Sequence, residues 1–93
     1  MYANVFKALS DENRLKLFEN ILMGENCACK LINKVDVSQP TMSYHLRYLT
    51  ESGLVDSIKE GIWKKHTVNL DKLDELITYL MSLKNLKGSC PND

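Results

Sequence analysis

No apolar run in these 93 residues approaches the roughly 20 that cross a bilayer, and the opening MYANVFKALSDEN lacks a basic block followed by an apolar one. The expectation is a cytoplasmic chain with no membrane partner. Charge of one sign is also missing: 12 basic residues balance 12 acidic ones, so bulk charge gives no nucleic-acid footprint. Any DNA-binding reading must therefore come from pattern. Nor is there an even cysteine set. Cys27, Cys29 and Cys90 are three, two of them one residue apart, which argues against a secreted disulfide scaffold and for reduced thiols. There is no Gly-rich phosphate loop, and His45, His66 and the cysteines form no recognisable catalytic constellation, so an enzyme is not expected.

What remains is a hydrophobic fraction of 44%, enough for one small core, and a length that allows a single domain over 1–93. Val5 to Leu9 reads as a short apolar helix. Ser10 can cap a second, with Leu15, Phe18, Ile21 and Leu22 as its core face and Gly24 as its left-handed stop. A short helical stretch follows, with Leu31, Ile32 and Val35 apolar. Ser38 then caps a fourth helix, Pro40 falls harmlessly in its first turn, and Met42, Leu46 and Leu49 recur at helical spacing until Gly53. The period then changes. Leu54, Val55 and Ile58 precede Lys59-Glu60-Gly61, and Ile62, Trp63, Thr67 and Val68 follow, which predicts a β-hairpin with a charged tip. From Leu70 a last helix carries Leu73, Leu76, Ile77, Leu80, Met81 and Leu83, a stripe wide enough to suggest a partner helix. Residues 88–93, polar and broken by Pro91, are expected to fray.

The fold expected is mainly α with a β-hairpin wing, a winged helix-turn-helix in the order α-α-α-α-β-β-α. Its fourth helix carries the chemistry. At about 100° per residue from Met42, the side pointing away from the core holds Pro40, Thr41, Ser43, Tyr44, Arg47 and Tyr48, with Gln39 and His45 on the flanks. Hydroxyls and an Arg fork read base edges or phosphates, and carboxylates are absent until Glu51. The hairpin adds Lys59, Lys64, Lys65 and His66 against one acid, Glu60, a charge set suited to lying along a phosphate backbone. A solvated helix face, or a winged helix used only for protein contacts, is the alternative.

The runs ALSDENRLKLFENIL and VSQPTMSYHLRYLTESGLV and the hairpin IKEGIWKKHTVNL together resemble the ArsR/SmtB family of metal- or metalloid-responsive repressors. The resemblance implies a homodimer joined through the first and last helices and bound to an inverted-repeat operator in double-stranded DNA. It places Gln39, Thr41, Ser43, Tyr44 and His45 against that DNA. It further implies an effector site: Cys27-Ala28-Cys29 is similar to the family's thiolate motif near the start of the third helix. Thiolates suit As(III) or another thiophilic ion such as Sb, Cd or Pb, with no constitutive cofactor. The chain departs from the family's arsenic motif at Asn26, Lys30 and Ile32, the last standing where a third cysteine is often found. Cys90 is then a candidate third ligand. Two buried structural thiols, or a redox or sulfide switch, are the other readings of the pair.

Overall fold

The computed structural model describes residues 2–24, 28–61 and 63–86, with residues 28, 29, 60 and 63 described by backbone alone. Five helices and a hairpin follow in the expected order: α1 (Tyr2–Leu9), α2 (Glu12–Leu22), α3 (Ala28–Leu31) running into a 3-10 turn (Ile32–Lys34), α4 (Gln39–Glu51), β1 (Val55–Glu60), β2 (Trp63–Val68) and α5 (Leu70–Lys84). The frayed tail expected over 88–93 lies outside the described residues.

Two local expectations are corrected. The cap of α2 is Asp11, whose carboxylate accepts the N–H groups of Asn13 (2.9 Å) and Arg14 (3.1 Å). Ser10 instead donates its hydroxyl back to the Lys7 carbonyl at 2.8 Å, closing α1. The buried stripe of α2 is also turned by one position from the one expected. Arg14, Leu17, Phe18 and Ile21 are buried, whereas Leu15 and Leu22 are exposed, because an arginine occupies a core position of the repeat and the apolar sum alone does not register it.

The core gathers Val5 and Ala8 of α1, the α2 stripe, Leu31 of α3, Met42, Leu46 and Leu49 of α4, and Leu54 and Val55 entering the wing. Ser38 caps α4 as expected, with its Oγ accepting from the Thr41 N–H and donating to the Thr41 hydroxyl at 3.0 Å, and Pro40 sits in the first turn. Gly24 and Gly53 follow α2 and α4 with φ of 103° and 87°, a conformation that a Cβ would strain. Gly53 thereby turns the chain directly from α4 into β1. The strands pair antiparallel from Val55 opposite Val68 to Glu60 opposite Trp63, and Gly61 follows β1 at φ 61°.

The last helix is only lightly held. Leu76 is its buried residue and Leu73 is partly covered, while Tyr2 of α1 stacks on Tyr79 with ring centroids 4.1 Å apart and Phe6 tilts against the same ring. Leu70, Ile77, Leu80, Met81 and Leu83 remain exposed, as does Phe6 of α1. Among the described residues no helix is long and apolar enough to cross a membrane.

Candidate nucleic-acid interface

Helix α4 presents two different flanks. One half of its circumference carries Pro40, Ser43, Tyr44, Arg47 and Thr50, and these line an open groove of about 470 Å3 whose opposite wall is Lys64 and His66 of β2. The hairpin register explains the meeting. Lys64 lies opposite Lys59 and His66 opposite Ser57, so both residues of β2 stand on the sheet face that alternation turns toward α4. Among the described residues no carboxylate borders the groove. Arg47 and Lys64 are exposed cations, Ser43 and Thr50 are hydroxyl bearers, and the Thr50 Oγ1 donates to the Arg47 carbonyl at 2.8 Å. Such a wall pair offers an anion two charges and several hydrogen bonds at once.

The other flank of α4 faces inward, and here the expectation is corrected for two residues. His45 is 6% exposed, its Nδ1 bonded by Arg14 Nη1 at 3.2 Å, and its Nε2 is 3.9 Å from Asp11. Tyr48 is half-buried beneath the Arg14 guanidinium, whose carbon lies 4.1 Å from the ring centroid. Helical phase puts Tyr48 on the outward side and His45 on a flank, and it is the family resemblance that implies His45 against DNA. Phase measures direction from Met42, but the length of Arg14 extends the buried arc across positions that methyl groups would leave open. Tyr44, half-exposed and edge-on to Tyr48 at 6.1 Å, marks the boundary between the flanks.

His66 is corrected too. It is 4% exposed, bonded through Nδ1 to the Ser57 hydroxyl at 2.8 Å, and burial, followed by the charge of Lys64, pushes its pKa below the ordinary 6.5. It floors the groove as a neutral ring rather than adding charge to the wing. Gln39, Thr41, Lys59 and Lys65 are exposed, and Lys65, opposite Ile58, alternates onto the far face of the hairpin. Sequence reasoning passed over Thr50, one turn from Arg47, and Arg14, whose signal was a cation at a core position of the α2 repeat. Of the thiols, Cys29 belongs to α3 and Cys27 and Cys90 lie outside the described residues.

A short helix leading through a polar turn into a capped helix, followed by a basic hairpin that shares a groove with it, is the architecture of a winged helix-turn-helix DNA-binding regulator. Residues 11–57, from the α2 cap into the wing, match the family described as bacterial regulatory protein, arsR family. The chain belongs to that arsR family, and is a transcriptional regulator rather than an enzyme. It is similar to the arsenical resistance operon repressor of Staphylococcus aureus, at 34% identity over 92 residues covering 97% of this chain and 88% of the relative. Its fold is similar to an ArsR-like transcriptional regulator from Rhodococcus sp. RHA1, with a TM-score of 0.82 at 28% identity over 90% of this chain and 77% of the other. A homodimeric winged helix-turn-helix domain from Mycobacterium bovis shares the fold at a TM-score of 0.70 and 23% identity, covering 89% and 77% of the two chains.

Proposed function

We propose that this chain is a cytoplasmic, homodimeric transcriptional repressor that binds an inverted-repeat operator and releases it when a soft thiophilic ion, As(III) foremost, binds at Cys27 and Cys29. The observation that carries the DNA half is the groove between α4 and β2, bordered by no carboxylate among the described residues, where Arg47 and Lys64 face a common space. In this reading Gln39, Pro40, Thr41, Ser43, Tyr44 and Arg47 meet the major groove, and Lys59, Lys64 and Lys65 follow the flanking backbone. The exposed apolar residues of α5 supply a face for the second protomer, which sets two such helices against successive half-sites.

The effector half is supported by donor chemistry and by position. Two thiols one residue apart are a soft donor set, with Cys90 a candidate third, and the thiolate is the ligating form. Leu31, two residues beyond Cys29 on α3, is fully buried in the core that also holds Met42, Leu46 and Leu49 of α4. An ion that pulls on α3 therefore acts on the packing that orients α4. The similarity to an arsenical resistance operon repressor along nearly the whole chain supports As(III) as the first ion to test, and the similarity to cadmium resistance regulators keeps Cd(II) beside it.

Fluorescence anisotropy on a duplex taken from upstream of the chain's own coding sequence tests both halves. Affinity is expected to fall steeply with salt, and As(III) is expected to release the duplex from the wild type but not from Cys27→Ser or Cys29→Ser. Sb(III), Cd(II), Pb(II) and Zn(II), added separately, rank the effectors. Absence of duplex binding at low salt would sink the regulator's proposed target. Release by As(III) from the cysteine variants would remove the thiol site alone.

A further inference from the structure

The most heavily partnered polar side chain of the described residues takes no part in the groove. Arg14, 91% buried by its 9% exposure, reaches out of α2 in three directions. Its Nε–H donates to the Ala8 carbonyl at 2.8 Å, Nη2 to the Lys7 carbonyl at 3.2 Å, and Nη1 to Nδ1 of His45 at 3.2 Å, while the guanidinium plane lies on Tyr48. The two carbonyls belong to the last turn of α1, where acceptors lack helical partners and a cation meets the negative end of the helix. His45 and Tyr48 form the inward flank of α4. One planar fork thus ties α1 to the back of α4. Because a guanidinium only donates, His45 must accept at Nδ1, which places its ring proton on Nε2, toward Asp11.

We propose that Arg14 is a positioning residue for DNA recognition, fixing the rotation of α4 about its own axis and hence the direction in which Arg47 and Ser43 point. The inference rests on the reading of α4 as the DNA-facing helix. The clamp holds the side of α4 away from the groove, so loosening it frees the helix to roll on Met42, Leu46 and Leu49, apolar contacts that carry no direction of their own. An Arg side chain ends roughly 9 Å from a helix axis, so a roll of about 20° carries its tip about 3 Å, the length of a hydrogen bond. Base contacts do not survive such an error. Phosphate contacts, made by flexible lysines to a continuous charged backbone, largely do.

The distinguishing measurement is the ratio of affinity for the chain's own upstream duplex to that for a scrambled duplex, at fixed salt and at a temperature where circular dichroism shows every variant folded. Arg14→Lys keeps the charge but cannot fork to three acceptors or stack as a plane, and is expected to shrink the ratio roughly tenfold or more while scrambled-duplex binding changes by less than about twofold. His45→Leu removes the acceptor and is expected to do the same. His45→Asn, whose amide oxygen can stand in for Nδ1, is expected to restore most of the ratio. Should Arg14→Lys fail to fold, the two His45 variants decide. A ratio unchanged in Arg14→Lys and His45→Leu, an equal loss on both duplexes, or a His45→Asn protein as impaired as His45→Leu would each overturn the positioning role. Arg47→Ala separates the two layers: if it shrinks the ratio and the clamp variants do not, only this inference falls. A wild type with no preference for its own duplex removes the reading of α4 and the inference with it.

Discussion

Lys59 and Lys64 stand directly opposite one another across the hairpin, two exposed like charges in register. Such a pair repels, and an anion lying along the hairpin relieves the repulsion. In the proposed complex, phosphates of a duplex seated in the groove supply that anion. Lys59→Ala and Lys64→Ala, each removing one contact from both protomers, are each expected to lower the slope of log affinity against log salt by about 1.8, with similar losses on the upstream and scrambled duplexes. Lys65→Ala, on the far face of the hairpin, is expected to change the slope less. Salt titrations by anisotropy read all three, and an unaltered slope in the first two places the wing away from the backbone.

His66 makes folding depend on pH. Its folded-state pKa lies below the 6.5 of an ordinary histidine, first because the ring is buried and second because Lys64 is close. A depressed value means the unfolded chain takes up the proton more readily. Stability from this group is therefore fully present above about pH 6.5 and is lost as pH falls from there through the lowered value. Urea midpoints are expected to drop between about pH 7.5 and about pH 5.5 in the wild type, and to drop less in His66→Asn, which keeps a partner for Ser57 but does not titrate. Equal drops in both proteins would assign the dependence elsewhere.

The order of elements was legible because each is bracketed by residues with one strong preference: Ser38 and Pro40 before α4, Gly53 after it, and Gly61 in the hairpin turn. The groove was legible in part. Arg47, Ser43, Tyr44 and Lys64 were named from periodicity and charge, and they line one space. What periodicity could not reveal is a contact made by length. Arg14 occupies a core position of α2 and claims His45 and Tyr48 from the neighbouring helix, so Tyr48, outward by phase, and His45, on a flank by phase and against DNA by resemblance, both turn inward. The same limit applied to His66, whose burial depends on how α4 and the wing fold together rather than on any neighbour in sequence.

Asp11 supplies the second acid-sensitive element. The N–H of Arg14, more than any other influence, holds its carboxyl below the ordinary 3.8, with Asn13, His45 and Arg14's charge adding to the effect against partial desolvation. Its contribution is fully present above about pH 3.8 and is lost as pH falls through the lowered value. Asp11→Ala is expected to cost about 1 kcal/mol at neutral pH, the usual worth of an N-cap, and Asp11→Asn only a few tenths, since an amide oxygen caps as well. Denaturation at about pH 7 and about pH 3 should show the acid loss shrinking in Asp11→Asn. A neutral Asp11→Ala would mean that Ser10 takes over the cap.

The apolar face left open on α5 bears on the dimer most directly. Ile77, Leu80 and Met81 are about half-exposed, at 50%, 46% and 55%, on a helix anchored to its own protomer chiefly by Leu76 and the Tyr2–Tyr79 stack. In a dimer joined there, Leu80→Glu puts a carboxylate into an apolar interface with no partner, and the dissociation constant is expected to rise by roughly 100-fold or more. Sedimentation across a concentration series reads this, while circular dichroism checks that the protomer core, which does not include Leu80, is intact. A monomeric protein reaches one half-site and contacts about half as many phosphates, so its salt slope should be roughly half that of the wild type. If the wild type sediments as a dimer and Leu80→Glu does the same, the two protomers meet through another surface; a wild type that sediments as a monomer overturns the proposed dimer itself.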